Sequence, residues 1–301
     1  MKVGFIGLGI MGQPMARHLL HAGFSLKVHT RTAAKAASLL AGGAEWAASP
    51  AAAAAGSDIV ITMLPDTPDV EAVFFGQNGV YEGLRAGQIV VDMSTISPEA
   101  TVKFAERLRG KKCELLDAPV SGGENGAIAG TLTIMAGGDE RAFQKCLPLF
   151  QAMGKNITHC GAGGNGQRVK LVNQVICALN ILAMSEGLQL AGSLGLDREK
   201  VLHIVSSGAA GSWMLSNLAP RILQNDFRPG FMIKLQQKDL RLASEAIAAL
   251  GENFPGTVLT YSLFTKAVEQ GLGEQGTQGL INVFKQAKGR SGEIAPSMTP
   301  K

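Results

Sequence analysis

A glycine-rich turn between a short strand and a helix sets the strongest constraint on the fold of this chain. The apolar run Val3–Ile6 predicts a buried strand, and the spacing in Pro14–His21 predicts a helix. Between them lies the pattern Gly7-Leu8-Gly9-Ile10-Met11-Gly12. In such a turn the first glycine permits a tight bend, the second exposes the backbone, and the third lets helix and strand pack closely. The turn therefore predicts the opening of an α/β domain.

Short apolar runs alternate with helical patterns from Val3 to Cys160. This alternation predicts βαβ units around a mostly parallel sheet. Further strands are predicted at Leu26–His29, Ile59–Met63, Ile89–Asp92, Leu115–Asp117, Leu132–Met135 and Ile157–Cys160. Further helices are predicted at Thr32–Leu40, Pro98–Arg109 and Glu140–Phe150.

The pattern changes after the glycine cluster Gly161–Gly166, beyond which no strand is predicted. The helices predicted there are Gln167–Gly192, Asp197–Ser206, Ser212–Gln224, Leu235–Leu250, Val258–Gln270 and Gln278–Lys288. We therefore expect a Rossmann-type, doubly wound α/β domain at 1–163. An all-helical second domain, joined to it by the long helix, is expected at 164–290, and a mobile tail at 291–301.

Composition and charge exclude several classes of protein. The chain is 46% hydrophobic and 17% charged, which is typical of a packed globular protein. Its net charge of +4 is too small and too scattered for a nucleic-acid partner. The four cysteines have no metal-ligand spacing, so no metal is expected. Polar residues interrupt the apolar stretch Leu171–Leu196, and the N-terminus lacks a signal-peptide pattern, so we expect a cytoplasmic protein without a membrane partner.

The turn from Gly7 to Gly12 is a candidate dinucleotide site, because the helix that follows offers free N–H groups and a partial positive charge to phosphates. A strand–turn–helix without a ligand is the alternative.

The second strand is followed by Thr30-Arg31, and no acidic residue occurs before Glu45. A carboxylate there usually holds the ribose of NAD, whereas a guanidinium suits the 2′-phosphate of NADP. Arg31 therefore favours NADP(H); NAD(H) stays possible, since Arg31 could instead stack on the adenine.

Other strand ends supply further candidates, because ligands of open α/β sheets lie outside the carboxyl ends of the strands. Leu64, Pro65 and Thr95 are candidate cofactor neighbours, with ordinary strand-end turns as the alternative. The segment Ser121-Gly122-Gly123 offers a hydroxyl and exposed backbone N–H groups, which suit a carboxylate. Its alternative is a glycine turn that closes a strand.

The long helix places Lys170, Asn173, Cys177 and Asn180 on one face. Lys170 lies near the helix N-terminus, where the dipole disfavours a cation, so we expect a lowered pKa that suits a general acid–base. A solvated surface lysine is the alternative.

A third candidate cluster is the segment Gln236–Leu240. In it, Lys238 could contact the cofactor and Asp239 could orient a catalytic group. An ordinary charged helix start is the alternative.

Four segments in this order resemble the β-hydroxyacid dehydrogenase family. They are Gly7–Ala16, Asp117–Gly123, Gly166–Asn173 and Lys238–Leu240, and the resemblance extends from about Lys2 to Lys288. It implies that Lys170 is the catalytic residue. It also implies that substrate is held by Ser121, Gly122, Gly123 and Asn173, and that Thr95 and Lys238 contact the cofactor.

Within that family, the chain is most similar to the tartronate semialdehyde (2-hydroxy-3-oxopropionate) reductases in Ser121–Glu124, Asn173–Ile181 and Pro229–Phe231. This implies reduction of tartronate semialdehyde to D-glycerate by a homodimer or homotetramer. The substrate is then a small carboxylated aldehyde or alcohol. Oxidation of 3-hydroxyisobutyrate, or turnover of an ω-semialdehyde such as succinic semialdehyde, is the alternative, and a non-catalytic dinucleotide-binding module is a distant one. Many relatives have Asn where Thr30 stands, which leaves the cofactor preference open.

Overall fold

The computed structural model describes residues 1–287 and divides into two compact units. The first is Met1–Val172, and the second begins at Asn173. The division falls inside one long helix, Asn165–Ser193. The predicted domain limits of 1–163 and 164–290 stay predictions, and the predicted tail at 291–301 lies outside the described residues.

A six-stranded parallel sheet forms the centre of the first unit. Its strands are β1 (Lys2–Ile6), β2 (Ser25–His29), β3 (Glu45–Trp46), β4 (Ile59–Thr62), β5 (Ile89–Asp92) and β6 (Glu114–Asp117). Their order is β3-β2-β1-β4-β5-β6, so the direction of winding reverses between β1 and β4. This is the strand order of the Rossmann fold, and the predicted fold class is confirmed.

Helices cover both faces of this sheet. Successive side chains of each strand point to opposite faces, and the apolar side chains on each face form a separate buried cluster. Val3 and Phe5 belong to one apolar cluster, while Ile6, Val60 and Val90 belong to the other. The helices of this unit are α1 (Gly12–His21), α2 (Ala37–Ala41), α3 (Pro50–Ala54), α4 (Thr67–Phe75), α5 (Val80–Gly83), α6 (Pro98–Arg109), α7 (Gly123–Ala129) and α8 (Glu140–Met153). Strands buried on both sides in this way appear in the sequence as continuous apolar runs.

A second, three-stranded sheet follows the main sheet. It consists of β7 (Val120–Ser121), β8 (Leu132–Ala136) and β9 (Gly154–His159), with β7 antiparallel and β9 parallel to β8. The segment Ser121-Gly122-Gly123 joins this sheet to a helix. Ser121 pairs with Thr133 in the sheet, Gly122 follows the end of β7, and Gly123 begins α7.

Within its described residues, the second unit contains helices and 3₁₀ turns as its regular elements, with one isolated bridge between Met232 and Gly276. The long helix α9 (Asn165–Ser193) leads into α10 (Arg198–Ser206), α11 (Trp213–Asn217), α12 (Ala219–Leu223), α13 (Ile233–Ala249), α14 (Pro255–Glu269) and α15 (Ile281–Ala287). One apolar cluster, which includes Ile181, Leu240 and Phe264, holds them together. By length and composition, α9 is the one helix within residues 1–287 that could cross a membrane, a property that core helices of soluble proteins share.

Several predicted helices differ from those observed. The segment Ser212–Gln224 forms two helices because Pro220 has no N–H to continue the first one. The segment Thr32–Leu40 forms a 3₁₀ turn, Ala33–Ala36, before α2 begins. The last helix starts at Ile281 after a 3₁₀ turn over Thr277–Leu280, and its predicted end at Lys288 lies outside the described residues.

Candidate active site

Two of the three motif glycines are required by the fold itself. Gly7 has a φ of 99°, and its N–H donates to the His29 carbonyl at 2.9 Å. A Cβ at Gly7 would overlap the Met63 carbonyl oxygen, and one at Gly12 would overlap the Gly7 carbonyl oxygen. Glycine at these positions therefore lets β1 turn sharply and lets α1 start against it.

Gly9 is different, because no packing contact within residues 1–287 requires a glycine there. Gly9 is exposed, and a Cβ built on it would have no neighbouring atom of those residues within 4 Å. Its φ is not in the left-handed region. The Leu8 side chain is buried, whereas Ile10 is exposed. The open cradle over Gly9 is the feature that a closely approaching pyrophosphate needs, so the residues present fit a dinucleotide.

Arg31 lies just beyond β2 with its side chain 86% exposed. Its Nη2 is 3.8 Å from Asp69 Oδ1 in α4. An exposed ion pair at that distance contributes little to stability, so the guanidinium can leave Asp69 for a ligand at small cost. The observed pairing is therefore compatible with the predicted contact to a 2′-phosphate.

Polar side chains at the ends of β4 and β5 fix the loops that carry Leu64 and Thr95. Asp92 Oδ1 accepts hydrogen bonds from Thr62 Oγ1 at 2.8 Å and from Ser94 Oγ at 2.6 Å. Ser94 Oγ in turn accepts a hydrogen bond from the Leu64 N–H at 2.8 Å. The two strand ends are thus joined by buried hydrogen bonds, which hold the Leu64 and Thr95 segments in one arrangement at the sheet edge.

Gln167, at the start of α9, completes this arrangement. Its Nε2 donates to the Ser94 carbonyl at 2.8 Å, and its Oε1 accepts from the Ile96 N–H at 3.1 Å. The two bonds bracket Thr95 and attach its loop to the helix. Sequence reasoning missed Gln167, because a glutamine at a helix start gives no signal for partners about seventy residues away in the chain.

Asp117 anchors the same helix from the end of β6. Its carboxylate accepts the Gly164 N–H at 2.7 Å and the Gln167 N–H at 2.8 Å. Burial raises the pKa of Asp117 to about 6, against these hydrogen bonds, which lower it. Above that pH the carboxylate is ionised and accepts both hydrogen bonds. Its negative charge then also interacts favourably with the positive, N-terminal end of the helix dipole. Asp117 therefore fixes the helical turn that precedes Lys170.

Lys170 lies three residues after Gln167 on α9 and is only 6% exposed. The alternative of a solvated surface lysine does not fit that burial. A buried ammonium is costly unless other groups stabilise it or the site uses it, which is why buried lysines are candidates for proton transfer. Its predicted pKa shift and catalytic role stay predictions.

The substrate candidates of the first unit lie where β7 meets α7. Ser121 is half-buried, and Gly122 is exposed with a φ of 137°. Gly123 also has a positive φ of 60°. Glycine adopts such φ values without strain, which accounts for glycine at both positions.

The candidates of the second unit join into one buried group. Lys238 Nζ lies 2.6 Å from Asp239 Oδ1, and Asp239 Oδ2 accepts a hydrogen bond from Gln174 Nε2 at 2.5 Å. Gln174 Oε1 accepts a hydrogen bond from Asn173 Nδ2 at 2.8 Å. The candidate segment Gln236–Leu240 is thus part of a buried polar network, which the alternative of an ordinary charged helix start does not explain. Sequence reasoning missed Gln174, which follows the predicted Asn173 directly.

The structure therefore brings most first-unit candidates to one edge of the sheet. The glycine turn, Leu64 with Pro65, Thr95, and the Asp117 segment follow β1, β4, β5 and β6, which are neighbours in the sheet. Parallel neighbours end at the same edge, which is where open α/β sheets bind ligands. Within residues 1–287, no group of three or more His, Cys, Asp or Glu side chains could hold a metal ion. These features define a Rossmann-type dinucleotide-binding protein.

Comparison with known proteins extends this class to a family. Residues 2–161 match the NAD binding domain of 6-phosphogluconate dehydrogenase. Residues 164–284 match the family described as NAD-binding of NADP-dependent 3-hydroxyisobutyrate dehydrogenase. The 2-hydroxy-3-oxopropionate reductase of Escherichia coli is 44% identical over 95% of this chain and 97% of that protein.

Solved structures agree with the sequence relatives. The 3-hydroxyisobutyrate dehydrogenase of Mycobacterium tuberculosis with L-serine is 32% identical, with a TM-score of 0.86 over 94% of this chain and 99% of that one. Psf3 in complex with NADP⁺ and 2-OPP is 27% identical, with a TM-score of 0.87, and the match covers 94% of this chain and 99% of that one. The chain belongs to the NAD(P)-dependent β-hydroxyacid dehydrogenase family and is an oxidoreductase.

Proposed function

We propose that the protein reduces tartronate semialdehyde to D-glycerate with NADP(H). The observation that carries this proposal is the burial of Lys170 on a helix start held by Asp117 and Gln167. The 44% identity to a 2-hydroxy-3-oxopropionate reductase supports the choice of substrate. Oxidation of 3-hydroxyisobutyrate is the second candidate, which the structural similarity to a 3-hydroxyisobutyrate dehydrogenase favours.

The proposed roles of the residues follow from their chemistry. Bound nicotinamide supplies or accepts the hydride, and the protein supplies position and electrostatics. Lys170 gives a proton to the oxygen of the reduced aldehyde, and takes it back in the oxidation direction. Ser121, Gly122 and Gly123 hold the substrate carboxylate through a hydroxyl and backbone N–H groups. Asn173 orients the substrate, and Lys238 contacts the cofactor.

An assay of cofactor oxidation tests this function. The purified protein is given NADPH or NADH with tartronate semialdehyde, methylmalonate semialdehyde, succinic semialdehyde and glyoxylate in turn. We expect the highest kcat/KM with tartronate semialdehyde and NADPH. A higher value with methylmalonate semialdehyde would transfer the proposal to the 3-hydroxyisobutyrate reaction, and no turnover of any compound would overturn both.

Charge reversal at Arg31 tests the cofactor preference. Arg31→Asp is expected to lower the NADPH to NADH ratio of kcat/KM by about 10- to 100-fold, because a charge-assisted contact to the 2′-phosphate is lost. Arg107→Asp is the matched control, since Arg107 also pairs with an acidic residue of α4, Glu71, at 3.9 Å. Steady-state kinetics with both cofactors give the ratio. An unchanged ratio in Arg31→Asp would contradict the 2′-phosphate contact.

We also propose that the protein works as a cytoplasmic homo-oligomer, a dimer or tetramer. Exposed residues along one face of α9, at spacings of three, four and seven, support an apolar contact surface; they are Ile176, Ala183, Gly187 and Leu190, and exposed Leu194 follows directly after the helix. Light scattering during size-exclusion chromatography measures the mass, and a monomer mass would contradict the proposal.

A further inference from the structure

Two residues of the first unit, Asp117 and Gln167, connect the end of β6 to the loop that follows β5. Both are completely buried. Asp117 Oδ2 accepts a hydrogen bond from the Gln167 N–H at 2.8 Å. The Gln167 amide holds the Ser94 carbonyl at 2.8 Å and the Ile96 N–H at 3.1 Å. The Asp117 carboxyl is thus joined to the Thr95 loop through one glutamine.

Two of the proposed cofactor neighbours depend on the position of Ser94. Thr95 lies between the two backbone groups that Gln167 holds. The Leu64 N–H donates to Ser94 Oγ at 2.8 Å, and Ser94 Oγ donates to Asp92 Oδ1 at 2.6 Å. A displacement of Gln167 would therefore move the Thr95 loop, and with it the hydrogen bond that fixes Leu64.

The surroundings of the Asp117 carboxyl fit its ionised form. Oδ1 accepts the Gly164 N–H at 2.7 Å, and Oδ2 accepts the Gln167 N–H. A Cβ on Gly137 would lie 2.6 Å from Oδ1, and one on Gly166 would lie 2.9 Å from Oδ2, so the backbone encloses both oxygens. A protonated carboxyl is a donor on one side and no longer matches two N–H groups. Protonation therefore weakens the attachment of the first turn of α9.

The ionised form of Asp117 is retained at a cost to folding. Titratable groups on the segments around it are Asp92, Asp139, His159, Cys160, Arg168 and Lys170. Burial raises the pKa of Asp117 to about 6, the negative charge of Asp92 adds a smaller increase, and the backbone hydrogen bonds lower it. Because this pKa lies above the ordinary value of 3.8, Asp117 contributes stability below that pH, and the contribution is lost as the pH rises through about 6. A buried anion that lowers stability near neutral pH is typical of a functional site.

We propose that Asp117 and Gln167 are positioning residues for the dinucleotide, and that they hold the Thr95 loop in its binding arrangement only while Asp117 is ionised. Neither residue is proposed to touch the cofactor, since both act through the loop. The proposal rests on the cofactor contact of Thr95 in the proposed function and deepens it, and it holds for either candidate substrate. It makes the affinity for the dinucleotide depend on pH in the range in which Asp117 titrates.

Calorimetric titration with NADP⁺ at two pH values tests this coupling. Gln167→Met removes both hydrogen bonds to the Thr95 loop, and Asp117→Asn replaces the carboxylate with a neutral group. At about pH 7.5, each variant is expected to bind NADP⁺ about 10-fold more weakly than the wild type. At about pH 5, Asp117 of the wild type is mostly protonated, so the wild-type Kd should itself rise by about 10-fold. The ratio of variant Kd to wild-type Kd should then approach one. The 2′-phosphate of NADP⁺, which titrates near pH 6, affects all the proteins alike and cancels in this ratio.

Gln88→Met is the matched control, since Gln88 is a buried glutamine just before β5, at the opposite edge of the same sheet. Its Nε2 donates to the carbonyls of Ala54 and Ser57, and its Oε1 accepts the Arg85 N–H. Loss of these bonds should lower the melting temperature about as much as Gln167→Met does. The Kd of NADP⁺ should nevertheless equal that of the wild type at both pH values.

The outcomes distinguish this proposal from the function on which it rests. A Kd ratio near one for Gln167→Met at both pH values overturns the positioning role. A ratio that is as high at the lower pH as at the higher one overturns the coupling to Asp117, even if Asp117→Asn fails to fold. Either result leaves the reductase function standing, because NADP⁺ still binds. If the wild type binds neither NADP⁺ nor NAD⁺, the reductase function falls, and the positioning role falls with it.

Discussion

Replacement of Lys170 by alanine is expected to lower kcat by about 10²- to 10⁴-fold, the range that a positioned acid–base group contributes. Lys170 is buried on the turn of α9 that follows the Asp117 anchor. A methyl group in its place can neither give nor take the proton on the reacting oxygen. Because the glycine turn and the Leu64 and Thr95 loops are unchanged, NADPH should still bind. Stopped-flow or steady-state assays give kcat, and a fluorescence titration gives the Kd of NADPH.

A second substitution at position 170 separates the loss of proton transfer from the loss of positive charge. Lys170→Arg keeps a cation, but a guanidinium stays protonated at neutral pH and should fail as an acid–base, so kcat should also fall strongly. Lys200→Ala is the control, since Lys200 on α10 is exposed and pairs only weakly with Asp197 at 3.8 Å. If Lys170→Ala or Lys170→Arg retained kcat within a few-fold of the wild type, Lys170 would lose its assigned role.

Much of the fold was predictable because the parallel strands are buried on both faces. Continuous runs such as Ile59–Thr62 and Ile89–Asp92 contain few polar residues and stand out in the sequence. The strand Glu45–Trp46 was missed because it is a two-residue edge strand with both side chains exposed. The helix Pro50–Ala54 was missed because alanines without larger apolar residues show no helical period.

The candidate site was predictable only where residues carry a local pattern. Lys170 and Asn173 could be placed on one helix face from their spacing. The hydrogen bonds that hold the site, from Gln167 to the Ser94 loop and from Gln174 to Asp239, join residues more than sixty positions apart. A glutamine that will be buried has the same helical spacing as one that faces water, so its partners emerge only in three dimensions.

Replacement of Gly9 in the glycine turn is the second change with a large expected effect: it should weaken cofactor binding and leave stability unchanged. Gly9→Val places its side chain in open space, since a Cβ there meets no atom of the described part of the chain within 4 Å. The melting temperature should therefore stay close to that of the wild type. The same side chain would fill the space that a pyrophosphate needs, so the Kd of NADPH should rise by about 100-fold or more, because hydrogen bonds to a charged group are worth about 1.5–3 kcal/mol each and are lost together.

Gly12→Ala is the matched contrast in the same turn. Its Cβ would overlap the carbonyl oxygen of Gly7 where α1 begins, so helix or strand must move. Overpacking of this kind costs about 1–3 kcal/mol, which should appear as a lower melting temperature even without cofactor. Differential scanning calorimetry and NADPH titration of both variants give the two quantities independently.

The contrast between the variants tests what the open space over Gly9 is for. A glycine needed only by the fold would lower the melting temperature when replaced, as at Gly12, and a glycine without a role would change neither quantity. Loss of NADPH affinity at full stability is the result that only a ligand contact at Gly9 produces. If Gly9→Val instead bound NADPH as tightly as the wild type, the cradle over Gly9 would not be the pyrophosphate site, and the dinucleotide would have to approach the sheet edge from another loop.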